Sequence, residues 1–176
     1  MDGPVLVVGA TRMLRPAVDE LVRGGSTVIA VARSAADLQI LAAEHPGTVT
    51  GIAVDYRDAD RFLRLLQSVH TPASAAIVYI PSAEPAALST LRSLVRGPVV
   101  QVLTSHVADP AGGEPFTFEN LPQPPGQPWY RLVLGWSKTG AWHSPDEISA
   151  AAVAVLRQKR DGQLGELRPW TDRPEA

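Results

Sequence analysis

The feature that most constrains the fold of this chain is an alternation. Five apolar, β-rich runs, Pro4–Val8, Thr27–Ala32, Val49–Val54, Ala75–Ile80 and Pro98–Thr104, are separated by segments with apolar residues at helical spacing. The first run ends at Gly9, and the following helical segment, Leu14–Val22, closes with Gly24-Gly25. Ser34-Ala35-Ala36-Asp37 is a near capping box ahead of a helix that puts Leu38, Leu41 and Ala42 on one face. Asp58 is the expected N-cap of a helix with Phe62, Leu65, Leu66 and Val69 on one stripe. A fourth helix is expected from about Pro85 to Val95, with Pro85 suited to its first turn. Strands that are apolar throughout, without in/out alternation, are expected where helices cover both faces of a parallel sheet. The fold class is therefore α/β: a doubly wound parallel sheet in three αβα layers, with about six strands.

The regularity stops after Ser105. Six prolines between Pro110 and Pro128 make 106–128 a long irregular segment, and segments of that length are commonly lids, binding loops or disorder. Trp129–Trp136 reads as a sixth strand, and Ser144-Pro145-Asp146-Glu147 is a full helix-start signature ahead of Ile148, Ala151, Val155 and Leu156. The polar tail from Asp161 has no firm reading. Residues 1–176 are expected to form one domain, in keeping with the usual size of a single core.

Composition narrows the function. With 16 basic and 18 acidic residues, charge gives no reason to expect nucleic acid or an anionic membrane as partner. The absence of cysteine removes disulfides, thiolate nucleophiles and Cys-ligated metal sites. No run approaches the ~20 apolar residues of a membrane helix, and Met1–Val8 lacks the pattern of a signal peptide. A cytoplasmic globular protein is expected. Only two of the basic residues, Lys138 and Lys159, are lysines, which limits any lysine-dependent mechanism. His45, His70 and His143 are too scattered for a metal site, so none is expected.

In a doubly wound sheet the first βα turn receives a ligand's phosphates at a helix N-terminus. Here that turn is Val7-Val8-Gly9-Ala10-Thr11-Arg12-Met13-Leu14-Arg15. It resembles the Gly-Ala-Thr-Gly-x-x-Gly turn of short-chain dehydrogenases and their atypical, NmrA-like relatives, over residues 4–105. The resemblance implies a Rossmann-like fold that binds NAD(P), with Gly9, Thr11, Arg12, Met13 and Leu14 at the cofactor. Arg12 and Arg15 stand where the second and third glycines would be. They either grip phosphate through a guanidinium fork or project into solvent and leave a degenerate pocket.

The resemblance extends to the ends of the later strands. An acid at the end of the second strand commonly marks NAD, and an arginine accommodates the 2′-phosphate of NADP. This chain has Arg33-Ser34 there, so NADP (NADPH) is the expected cofactor, with an exposed loop arginine as the bland alternative. Asp55 and Tyr56 match the place of an acid beside the adenine, and Asp55 equally fits a helix cap. Ile80, Pro81 and Ser82 would face the nicotinamide ribose, and Ser82 equally fits a cap for the next helix.

Reducing members of that family use a Tyr with a Lys four residues later, and a Ser after strand five. Tyr56, Tyr79 and Tyr130 are followed at that spacing by Asp60, Ala83 and Leu134, so the pair is missing. Ser105 stands in the serine's place with His106 beside it. Ser105, His106 and Tyr130, with Lys138, are the candidates for a catalytic site, His106 being the residue best suited to pass protons near neutral pH. A solvent-facing loop histidine and a packed strand tyrosine are the alternatives. Trp129, Trp136 and Trp142 could line a planar substrate's pocket or belong to core or interface.

The chain is also similar to short bacterial proteins labelled short-chain dehydrogenases, through Gly9-to-Leu14, Tyr130–Trp136 and Trp142–Ser149. Together these readings favour an NADP-preferring oxidoreductase that transfers hydride to a small, aromatic or conjugated substrate without the usual Tyr/Lys pair. The alternative is a non-catalytic NAD(P)-binding sensor or scaffold of the NmrA-like kind. A small molecule or nucleotide is the expected partner, and a homo-oligomer is compatible with the long apolar strands and Trp-rich C-terminal part.

Overall fold

The computed structural model describes residues 3–68, 72–81, 85–108, 116–121 and 126–167. The elements are β1 (Val5–Val8), α1 (Arg15–Arg23), β2 (Val28–Ala32), α2 (Ala35–Glu44), β3 (Val49–Ala53), α3 (Ala59–Gln67), β4 (Ala75–Tyr79), α4 (Pro85–Leu94), β5 (Val99–Thr104), a 3-10 turn (Ser105–Ala108), β6 (Trp129–Leu134), α5 (Pro145–Gln158) and β7 (Gly162–Leu164). The seven strands form one sheet in the order β3-β2-β1-β4-β5-β6-β7, parallel throughout.

The apolar runs become strands because helices cover both faces. Val5, Val7, Val28, Ala30, Ala75 and Ile77 lie under α1, α2 and α5, and Leu6, Val8, Ile29, Val31, Ala76 and Val78 lie under α3 and α4. Every residue of β1 is buried, whereas β3, at the sheet edge, exposes Thr50 and Gly51. Leu14, Leu41, Phe62, Leu132 and Ile148 are fully buried, and each such side chain contributes about 1.5–3 kcal/mol of transfer free energy.

The helix starts follow their local signals. Ser34 accepts from the Asp37 amide and Asp58 from the Arg61 amide. Ser144 and Glu147 close a complete capping box, with Pro145 at the first position. Leu14 begins α1 without a side-chain cap. On α3, Phe62 and Leu66 are buried and Leu65 is partly buried; Val69 lies outside the described residues. Lys159 ends α5 in the left-handed conformation (φ 53).

Two features depart from the sequence reading. The sheet has seven strands and not about six: the polar tail supplies β7, with Leu132 paired to Gly162 and Leu134 to Leu164. The sixth strand is also shorter than Trp129–Trp136, because after Leu134 the chain leaves the parallel ladder, and Trp136 pairs antiparallel with Glu166.

The crossovers explain how α5 reaches the site. The β1–α1–β2 and β4–α4–β5 units step in opposite directions along the sheet with their helices on opposite faces, so they share one hand. The β6–α5–β7 unit steps in the same direction as β4–β5, yet α5 packs on the α1 face. It therefore crosses with the opposite hand, against a strong general preference for right-handed crossovers. On the other face, Arg131 is 2% exposed. Its guanidinium donates to the Leu121 carbonyl at 2.9 Å and pairs with Asp161, whose Oδ1 also accepts from the Arg131 amide at 2.6 Å. Residues 116–121 are thus tied to β6, and among the described residues no α-helix stands between β5 and β6.

Candidate functional site: the carboxyl edge of the sheet

The turn after β1 is shaped by Gly9, whose φ of +95 is readily accessible to glycine alone. The Gly9 and Ala10 amides both donate to the Val31 carbonyl, at 2.9 and 3.2 Å, and the Leu14 amide donates to the Gly9 carbonyl at 3.3 Å. Between them the amides of Thr11, Arg12 and Met13 make no hydrogen bond among the described residues. These three N–H groups lie in the turn just before Leu14, the N-cap of α1, a place where backbone donors and the positive end of a helix dipole can receive an anion. Ser149 of α5, 1% exposed, donates to the Met13 carbonyl at 3.0 Å and braces the turn from the opposite-handed crossover. The half-buried Tyr79 flanks it: a Cβ added at Gly9 would lie 3.4 Å from the Tyr79 carbonyl oxygen. Burial pushes the Tyr79 phenol above its ordinary range.

The two arginines of the turn have different fates. Arg15 is ion-paired with Glu44 at the end of α2. Arg12 is exposed and has no partner among the described residues. Leu14 is 0% exposed and packs in the core, so its side chain does not face a ligand. Met13 is partly buried against that core.

At the end of β2, Arg33 is exposed without a hydrogen-bond or ion-pair partner among the described residues, while the Ser34 hydroxyl is committed to capping α2. At the end of β3, Asp58 caps α3 and Asp55 does not. Asp55 is gripped by Arg57, whose Nε donates to both carboxylate oxygens at 3.1 and 3.0 Å and whose amide donates to Oδ1 at 3.0 Å. These bonds hold the Asp55 carboxyl at about 2, with a smaller contribution from the Arg33 charge. The Tyr56 hydroxyl donates to the Pro81 carbonyl at 2.8 Å, linking the ends of β3 and β4, and burial raises its phenol above the ordinary range. Ile80 is 3% exposed and belongs to the core. Ser82 lies outside the described residues.

The candidate catalytic residues do not assemble as a set. Ser105 (8% exposed) and the exposed His106 begin the 3-10 turn after β5, at the carboxyl edge. Tyr130 pairs with Val100 near the start of β6. Ser105 is five residues further along than Val100, roughly 16 Å at the usual rise per residue, and Tyr130 packs into the α5-side core. Tyr130 therefore sits at the wrong end of its strand to join them. Trp129 is 2% exposed in the core, its indole N–H donating to the Gln101 side chain at 3.1 Å, so it lines no pocket.

Lys138, Trp136 and Trp142 do lie at the carboxyl edge, on the loop between β6 and α5. The Trp136 and Trp142 rings are 5.2 Å apart and tilted by 39°. His143 follows, its side chain only 7% exposed and Nδ1 3.6 Å from Glu147 Oε2. Gly165, at φ +79, permits this packing: a Cβ there would collide with His143 Nε2 and the Trp136 carbonyl. Among the described residues no group of three His, Cys, Asp or Glu side chains could hold a metal ion, and no helix is long and apolar enough to cross a membrane.

Sequence reasoning missed Ser149, Arg57 and Tyr79. The Asp55-x-Arg57 spacing could have signalled the ion pair; no local signal marks Ser149.

No protein-family profile matches the sequence, and no curated protein matches it significantly. Solved structures do. An alcohol dehydrogenase from the archaeon Thermococcus sibiricus, in complex with 5-hydroxy-NADP, superposes with a TM-score of 0.70 at 18% identity, covering 98% of this chain and 99% of the other. A short-chain dehydrogenase/reductase from Serratia marcescens gives 0.70 at 12% identity, covering 94% and 97%. A short-chain dehydrogenase from Streptomyces avermitilis gives 0.64 at 14%, covering 93% and 88%. The fold is the Rossmann fold of the short-chain dehydrogenases. That likeness is one of architecture, and the chemistry has to be read from the residues above.

Proposed function

We propose that this protein is an oxidoreductase of the short-chain dehydrogenase kind, preferring NADP, that exchanges hydride with a small aromatic or conjugated substrate. The observation that carries this reading is the pairing of the Thr11–Met13 amides with Arg33 at the end of β2, which among the described residues is exposed and makes no hydrogen bond or ion pair. The free amides fit a pyrophosphate, and Arg33, with no acid beside it on β2, fits a 2′-phosphate. Arg12, exposed and without a side-chain partner among the described residues, adds a cation on the first turn itself. The bound nicotinamide supplies the hydride chemistry. The protein's part is to hold the phosphates on Thr11–Met13, keep that turn fixed through Ser149, and move a proton through His106, with Ser105 beside it. The solved complex of the Thermococcus sibiricus neighbour with an NADP analogue supports a nicotinamide ligand.

A second reading, a dinucleotide-binding sensor or scaffold without turnover, is favoured by the missing Tyr-x-x-x-Lys pair and by an Asp55 already engaged by Arg57. Calorimetric titration with NADPH, NADH and NADP+ tests both. Arg33→Ala is expected to weaken NADPH by about 1.5–3 kcal/mol, the range for a hydrogen bond to a charged group, while leaving NADH unchanged. Absence of binding by any dinucleotide overturns both readings. Binding without NADPH oxidation across a panel of carbonyl and enone acceptors favours the sensor.

A further inference from the structure

The loop between β6 and α5 holds an exposed indole in a fixed position. Trp142 is 54% exposed, yet its surroundings are braced on every side. Within the turn, the Ser137 amide donates to the Ala141 carbonyl at 3.0 Å and the Gly140 amide to the Ser137 carbonyl at 2.9 Å. The Ser137 hydroxyl accepts from the Ala141 amide at 3.1 Å and lies 2.9 Å from the Thr139 hydroxyl. On one side Trp136 is tied to Glu166 by reciprocal backbone bonds of 2.9 and 2.8 Å. On the other, His143 is packed under Gly165 and Ser144 caps α5. The Trp142 ring rests on the Trp136 ring.

Leaving so large an apolar face in water is unfavourable, and fixing it in place adds an entropic cost. A rigid aromatic surface with few torsions is what a stacking site needs. Lys138 lies inside the closed Ser137–Ala141 turn, directly after its first residue, and Trp142 directly follows its last, so the Ser137–Ala141 bond brings the backbones of the two together; Lys138 is exposed. Lys138 is one of only two lysines in the chain. The loop leaves the carboxyl end of β6, the strand against which the 3-10 turn carrying His106 packs.

We propose that Trp142 and Lys138 form a recognition platform for a planar, conjugated carboxylate: the indole face stacks on the π-system, and the ammonium pairs with the carboxylate. This deepens the reading of the same edge as an oxidoreductase site, and rests on that reading only for the ligand's role as substrate. Neither residue moves a proton or hydride. They orient the ligand beside the cofactor edge.

The test uses cinnamate and its neutral amide, cinnamide, as probes, titrated calorimetrically into the full chain with and without NADPH. Both substitutions are at exposed positions, so the fold is expected to survive, as checked by thermal unfolding. Wild type is expected to bind cinnamate more tightly than cinnamide. Trp142→Ala should weaken both at least tenfold, and Trp142→Phe should restore part of the loss. Lys138→Met should abolish the preference for the acid while leaving the amide unchanged. The proposal is overturned by absence of cinnamate binding to wild type, by unchanged binding in Trp142→Ala, or by a Trp142→Ala protein whose sedimentation mass falls, which would make the indole a self-association contact. Cinnamate binding without NADPH binding supports the platform and removes the dinucleotide function; NADPH binding without cinnamate binding does the reverse.

Discussion

Replacing Gly9 with alanine separates what the first turn does for stability from what it does for ligand binding, provided it is compared with Gly25→Ala. Both glycines have positive φ, +95 and +85. A side chain in the left-handed region costs about 1–2 kcal/mol. Alanine also restricts the unfolded chain, which returns about 0.4–1 kcal/mol. The net loss is about 1 kcal/mol at each site. Sterics add little: a Cβ at Gly9 meets the Tyr79 carbonyl oxygen at 3.4 Å and the Tyr79 Cβ at 3.5 Å, ordinary contact distances, and a Cβ at Gly25 meets nothing within 4 Å. In urea unfolding the two variants should therefore be destabilised equally, with melting temperatures lower by about 2–4 °C. Their ligand binding should differ. Gly9→Ala re-aims the Thr11–Met13 amides and is expected to weaken NADPH at least tenfold, about 1.4 kcal/mol, whereas Gly25→Ala, at the far end of α1, leaves it unchanged. Equal NADPH affinity in the two variants would refute the assignment of this turn as the phosphate cradle. A Gly9→Ala loss exceeding that of Gly25→Ala by more than about 2 kcal/mol would refute the packing argument.

Two further outcomes follow from the same geometry. In Arg57→Ala, the Asp55 carboxyl should return from about 2 toward the ordinary carboxylate value, read by NMR titration of its side-chain carbon. Because the folded value is depressed, the stability this pair contributes is complete above the unfolded carboxylate range, about 3.9, and is lost as pH falls through about 2. The pair is largely exposed and screened by solvent, so the effect on unfolding should be small; a marked change in the acid limb of the unfolding profile would contradict it. Ser149→Ala removes the bond to the Met13 carbonyl and should cost about 1 kcal/mol in urea unfolding, together with a measurable loss of NADPH affinity. An unchanged affinity would show that the turn is held without α5.

The elements legible in the sequence were those whose signals are local. Apolar runs bounded by Gly, Ser and Pro located six of the strands, and Ser34, Asp58 and Ser144 each cap the helix they were expected to cap. The seventh strand was not legible: Gly162–Leu164 is three residues long and becomes a strand by pairing with Leu132–Leu134. The site was half legible. Gly9, Arg12 and Arg33 stand at the edge that the alternation of strands and helices implies, because in a parallel sheet every strand delivers its carboxyl end to the same side. Tyr130 was misplaced because a residue read as part of a strand carries no indication of which end of the sheet it occupies until the register with Val100 is known.

The sequence by itself determined the parallel α/β sheet, since strands apolar on both faces must be covered on both, and it determined the glycine turn and the missing Tyr/Lys pair. Tertiary structure decided which charges remain free. Arg15 and Asp55 are paired with Glu44 and Arg57, while among the described residues Arg12 and Arg33 make no ion pair. The opposite-handed crossover that brings Ser149 onto Met13, 136 residues away in sequence, was likewise decided only in three dimensions. The physical reason is the same in each case: periodicity and capping act over a few residues, whereas the pairing of a charge or the side of a sheet on which a helix docks depends on groups the chain brings together only once the core has formed.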